Sequence, residues 1–143
     1  MLLPWALGAF FLFLDQALKY FFYQNPDFFV GWRFLGLSYL ENTGIAFSIP
    51  FSQSFLLVLT PLFLVLFFFW FEKQKQRNFF FVSSFSLLIF GAISNYIDRF
   101  LFAFTIDYIN IFTLVINIAD IMIVLGAFGL FFSFSHTKNL TRK

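Results

Sequence analysis

Long apolar runs alternate with short polar ones along this chain. Four apolar stretches, at residues 4–22, 54–71, 79–97 and 115–134, would each form about 27 to 30 Å of helix, enough to cross a bilayer core. They predict a mainly α membrane protein with four transmembrane helices. Thr60-Pro61 falls inside the second stretch and predicts a kink that a neighbouring helix can accommodate. No span pattern repeats internally, which weighs against a transporter built from inverted halves.

The loop at residues 23–53 has a pattern of its own. "WRFLGLSYL", the turn-like "ENTG" and "IAFSI" predict a hairpin of two short strands, with Asn42 and Gly44 at the reversal. Residues 103–112, "AFTIDYINIF", are β-branched and aromatic enough to add a strand carrying Asp107. The expectation is a small extracytoplasmic β-sheet at the outer membrane surface.

Composition supports the membrane reading. Of 143 residues, 61% are hydrophobic and 11% charged, with a mean hydropathy of +0.87, far from soluble averages. A single domain over residues 1–143 is expected, with its 29 phenylalanines serving packing and lipid contact. The chain has no cysteine, which excludes disulfides, thiol nucleophiles and thiolate metal sites. His136, the single histidine, sits in the polar tail, away from the other candidates. No metal and no cofactor are expected. A net charge of +2, without a basic cluster among aromatics, gives no reason to expect nucleic acid. The amino-terminal run lacks a basic region and a small-residue cleavage site and carries Asp15 and Lys19, so it is expected to be a retained helix.

The basic residues give the orientation. Lys73, Lys75 and Arg77 follow the second stretch, and Lys138, Arg142 and Lys143 follow the fourth; these are six of the nine basic residues. Arg33 and Arg99 lie in the opposite loops. By the positive-inside rule both termini are cytoplasmic.

With that orientation the unusual polar residues converge in depth. Asp15 and Lys19 fall in the outer half of the first span, and Asn95, Asp98 and Arg99 at the outer end of the third. Asn117 and Asp120 fall about 3 to 8 Å below the outer end of the fourth, at about 1.5 Å per residue. Asp15 and Lys19, four apart, can pair on one helical face. Asp98 adjoins Arg99, although neighbours on a helix do not face each other. Asp27 and Glu41 lie in loops and are expected to be solvated. Asp107 and Asp120 are left without a local counter-charge.

Two such carboxylates cannot both ionise cheaply at a membrane edge, so one should hold a proton while the other acts as base. That arrangement suits peptide hydrolysis without a metal. A proton or ion pathway and a structural polar cluster use intramembrane acids as well, and a small proton-coupled transporter is the alternative reading.

Four blocks, "LDQALKYF", "ENTGIAFS", "GAISNYIDRF" with the following "IDYI", and "INIAD", occur in this order between Asp15 and about Gly126. They resemble the signature blocks of the lipoprotein signal peptidase (signal peptidase II) family. The resemblance implies a four-helix membrane aspartyl endopeptidase of the bacterial cytoplasmic membrane. Its partners would be prolipoproteins modified with diacylglycerol, cut just before the lipid-modified cysteine, together with membrane lipid; a monomer is expected. It implies catalytic roles for Asp107 and Asp120. Asp15, Lys19, Asn42, Gly44, Gly91, Asn95, Asp98, Arg99 and Asn117 match the family's other signature positions, which hold the site or contact substrate. Ser94 stands where a glycine is common, Ile116 replaces a usual Phe and Ile45 a usual Ala, and the stretch from Asp107 to Asp120 is short.

Overall fold

The computed structural model describes residues 2–32, 34–44, 51–75 and 77–140, with side chains described through residue 133. Arg33, the segment 45–50 with Ile45 and the expected strand "IAFSI", Arg142 and Lys143 lie outside the described residues.

Four helices occupy the four apolar stretches: α1 (Leu2–Gln24), α2 (Gln53–Glu72), α3 (Phe79–Phe102) and α4 (Ile118–Leu140). Among the described residues α1, α2 and α3 are long and apolar enough to cross a membrane, and the apolar part of α4, Ile118–Ser133, is shorter. Pro61 lies within a continuous α2.

Helix α3 is the centre of the bundle. Its start is fixed by Asn78, whose side chain accepts the Phe81 N–H at 2.8 Å, a cap that satisfies one of the open donors of the first turn. Phe81, Val82, Phe85 and Leu88 of α3 pack with Phe71 of α2 and Leu130 of α4, and Trp5 of α1 leans on the same cluster. Phe71 and Phe85 stack with centroids 4.1 Å apart. On α4, a Cβ at Gly126 would lie 2.6 Å from the Leu88 nitrogen and the Ser84 carbonyl, so this glycine lets the backbones of α3 and α4 meet.

The remaining elements form one antiparallel sheet in the order β1 (Phe29–Trp32), β2 (Leu35–Asn42), β3 (Thr105–Ile111) and β4 (Leu114–Ile116). The expected strand at 103–112 is β3. A hairpin not expected from the sequence reverses between Trp32 and Leu35, and Asn42 ends β2 opposite Thr105; the second strand of the expected hairpin lies outside the described residues. Strand β2 pairs with β1 on one side and β3 on the other and so runs on through "LGLSYLEN". At its tip Gly31, with φ 146°, faces Gly36; a Cβ there would come 2.3 Å from the Gly36 Cα.

The fourth helix also starts later than residue 115. Leu114–Ile116 turns back on β3 through Phe112, whose φ is 55°, and β-branched Val115 and Ile116 extend the sheet before α4 begins at Ile118. The sheet thereby delivers Asp107 to the end of the bundle where α1, α3 and α4 meet.

Candidate active site

The amphipathic face of α1 builds the floor. Asp15 and Lys19, one turn apart, both point at α3 and are fully buried. Lys19 Nζ lies 2.8 Å from Asp15 Oδ2 and 2.9 Å from Asp98 Oδ2, and donates to Asn95 Oδ1 at 2.8 Å. An ammonium has three protons, and here three acceptors surround it. Asp98 further accepts the Gln16 amide at 3.0 Å and the Ile106 N–H at 3.1 Å, tying α3 to the start of β3. Asp15 accepts the Ser94 hydroxyl at 2.6 Å, the Tyr108 hydroxyl at 2.8 Å and the Ala119 N–H at 3.3 Å. A carboxylate buried so deeply is sustainable only with such a set of donors.

Asn95 carries the network upward. Its Oδ1 accepts from Lys19 and from Asn117 Nδ2 at 3.1 Å, which leaves its Nδ2 to donate to Asp120 Oδ1 at 2.9 Å. Asn117 Nδ2 also donates to Asp107 Oδ1 at 2.6 Å, and Asn42 Nδ2 donates to Asp107 Oδ2 at 2.8 Å. The Gly44 N–H holds the Asn42 Oδ1 at 2.9 Å and so sets that amide's orientation. Asp107 is fully buried and Asp120 is partly exposed.

Asn117 and Asp120 form a reciprocal cap. The Asp120 N–H donates to Asn117 Oδ1 at 2.8 Å, and the Asn117 N–H donates to Asp120 Oδ2 at 3.3 Å. This is a capping box at the first turn of α4, where the positive end of the helix dipole favours a carboxylate. An acid inside an apolar run is tolerable for that reason.

The electrostatics separate two classes of acid. Asp15 and Asp98 share Lys19, whereas Asp107 and Asp120 have no ion pair among the described residues. Burial, with the Asp120 charge second, pushes the Asp107 carboxyl up to about 7, against the opposing pull of the Asn42 and Asn117 amides and the Lys19 charge. Such a group exchanges its proton near neutral pH, which is what acid–base chemistry needs.

The other expected residues take different places. Gly91 is a contact position: a Cβ there would come 2.7 Å from the carbonyl of Ala119, the residue before Asp120. Arg99 is partly buried in the last turn of α3, and its Nε has no hydrogen-bond partner among the described residues. Asp98 is turned away from it toward Lys19. Asp27 is exposed, and Glu41 is exposed and accepts the Tyr39 hydroxyl at 3.0 Å. Sequence reasoning gave no role to Gln16, Ser94 or Tyr108, all in contact with the buried acids. Gln16, polar beside Asp15 in an apolar run, carried a usable signal; Tyr108 looks like any strand aromatic.

A family model described as signal peptidase (SPase) II matches residues 7–136. The chain belongs to the signal peptidase II family. Relatives named lipoprotein signal peptidase include that of Bartonella henselae, 37% identical over 131 residues, covering 82% of this chain and 78% of the relative. That of Lactococcus lactis subsp. lactis is 38% identical over 104 residues, covering 68% and 67%. A solved bacterial membrane enzyme, determined by the in meso method at 2.3 Å resolution, superposes with a TM-score of 0.85 at 26% identity, covering 98% of this chain and 90% of the other. Another at 1.9 Å gives a TM-score of 0.79 at 28% identity, covering 92% and 91%. Membership in the signal peptidase II family, with its apolar helices, makes this a bacterial membrane protein of the protease class.

Proposed function

We propose that this chain is an aspartic endopeptidase that removes the signal peptide from diacylglyceryl-modified prolipoproteins, cleaving just before the lipid-modified cysteine. One observation carries the reading: of the acids at the sheet end of the bundle, Asp15 and Asp98 share the ion pair with Lys19, while Asp107 and Asp120 meet on the Asn95–Asn117 amides with no ion pair among the described residues. The proton-coupled transporter is not favoured, because the family and the relatives are peptidases.

In this reading all four helices cross the membrane as a single monomeric domain over residues 1–143, with both termini cytoplasmic and the sheet on the extracytoplasmic face. The lipid anchor enters sideways from the bilayer and brings the scissile bond over the dyad. The pair shares one proton near neutral pH. One carboxylate takes a proton from water as it attacks the carbonyl carbon, and the other protonates the departing amine. The amides of Asn95 and Asn117 keep both carboxylates oriented, so little reorganisation remains for the reaction itself. In this reading Arg99, whose Nε in the last turn of α3 has no hydrogen-bond partner among the described residues, holds the substrate backbone or the developing oxyanion.

Purified protein in detergent or lipid, incubated with a diacylglyceryl-modified precursor, tests the proposal. A cut immediately before the modified cysteine, absent for the unmodified precursor, is expected. Equal cleavage of both would contradict the substrate assignment, and no cleavage of either would contradict the activity.

A further inference from the structure

A single oxygen atom grips the neighbours of both candidate catalytic aspartates. Asp15 Oδ1 accepts the Tyr108 hydroxyl at 2.8 Å and the Ala119 N–H at 3.3 Å. Tyr108 follows Asp107 in β3, and Ala119 precedes Asp120 in α4. The Tyr108 oxygen also accepts the Ile118 N–H at 3.3 Å, so the phenol touches the first turn of α4 directly. Side chains alternate along a strand, and Asp107 therefore faces the asparagines while Tyr108 faces α1. There its ring stacks on Phe22 with centroids 5.2 Å apart and planes 7° from parallel. Burial, with the Asp15 charge second, holds the phenol well above its ordinary pKa, so the hydroxyl stays a donor. The other oxygen of Asp15 is engaged separately, by Lys19 and Ser94.

We infer that Asp15 and Tyr108 are positioning residues that fix the separation of Asp107 and Asp120 by holding the residue next to each. This rests on the dyad proposed above. The two aspartates come from a strand and a helix. Beyond the β3–β4 ladder, which ends at Ile116 short of α4, asparagine amides link the two side chains, and these can swing. The Asp15 carboxylate, anchored by Lys19 to α3, gives strand and helix a common fixed point. Reacting groups displaced by about 1 Å lose on the order of a hundredfold in rate, so a fixed point of this kind acts on turnover more than on substrate affinity.

The test compares two hydroxyl deletions on one carboxylate. Tyr108→Phe keeps the stacked ring and removes the grip, whereas Ser94→Ala removes an equally short hydrogen bond that touches neither dyad neighbour. Turnover of a diacylglyceryl-modified precursor peptide is measured against pH for both. Tyr108→Phe is expected to lower kcat by about tenfold or more with KM within about twofold. Its two apparent pKa values should move closer together, because a looser pair of acids couples less. Ser94→Ala should keep the parental separation. Parental kcat and pKa separation in Tyr108→Phe would overturn the inference. So would equal changes in the two variants, or a Tyr108→Phe protein that does not fold, since the hydroxyl would then serve stability alone. Asp107→Asn and Asp120→Asn, run alongside, distinguish the failures. If either aspartate variant is active, the dyad and the clamp fall together; if both are inactive while Tyr108→Phe is unaffected, only the clamp falls.

Discussion

Asn117 and Asp120 each accept the other's backbone N–H, at 2.8 and 3.3 Å, and so close the first turn of α4 with the residue proposed to do the chemistry. The same Asn117 amide donates to Asp107. Asn117→Ala therefore removes a cap, worth about 1 kcal/mol, and a donor to a buried carboxylate. Lower thermal stability in detergent together with a large loss of precursor cleavage is expected. A variant that loses stability but keeps parental turnover would show that Asn117 serves the helix alone.

Lys19 is the counter-charge for two buried acids, at 2.8 Å from Asp15 and 2.9 Å from Asp98. Lys19→Met fills similar space and leaves both carboxylates uncompensated. Breaking a buried pair in this way costs about 3 to 5 kcal/mol. A markedly lower unfolding temperature or a loss of folded protein in the membrane is the expected result, and a variant as stable as the parent would contradict the structural role.

The helices and the Asp15–Lys19 pair were legible because their signals are local: apolar run length for the first, an i,i+4 spacing for the second. The start of α4 was not, since Val115 and Ile116 suit a membrane helix and a strand equally, and only the pairing with β3 decides between them. "ENTG" carries stronger turn chemistry than the stretch between Trp32 and Leu35, yet the ladder to β3 holds Glu41 and Asn42 extended. That Asp107 and Asp120 lacked a base could be read from neighbouring residues. That Asp98 would claim the same lysine as Asp15, and that Tyr108 would reach Asp15, depends on contacts across more than 75 positions, which no local pattern encodes.

The Asp107 carboxyl, ordinarily at 3.8, is raised to about 7 by burial first and the Asp120 charge second. Between those values the folded protein keeps a proton that the unfolded chain has released. Its contribution to stability is therefore full below the lower value and falls as pH rises through about 7. Unfolding temperature should decline over that window, and Asp107→Asn should flatten the decline. An Asp107→Asn protein with the parental pH slope would place the titration elsewhere.

Orientation is open to chemical labelling, because Lys75, in the α2–α3 connection, and Thr113, in the β3–β4 turn, are both exposed. With cysteine placed singly at each, an impermeant thiol reagent added to intact cells should label position 113 and spare position 75. The reverse pattern would put the sheet on the cytoplasmic side and remove the site from the face where lipid-modified precursors are expected.

The dyad itself gives the strongest test. Asp107 reaches the site on a strand and Asp120 on a helix turn, and amides hold both with no ion pair among the described residues. Asn keeps the size of each side chain and removes its proton transfer. Asp107→Asn and Asp120→Asn should each abolish cleavage of a diacylglyceryl-modified precursor while leaving the protein folded and able to bind it. The double variant should be scarcely worse than either, because groups acting as one unit are not additive. Near-parental turnover in one single variant would remove that residue from the pair. Asp98 would be a poor substitute, since its carboxylate is already committed to Lys19, Gln16 and the Ile106 N–H.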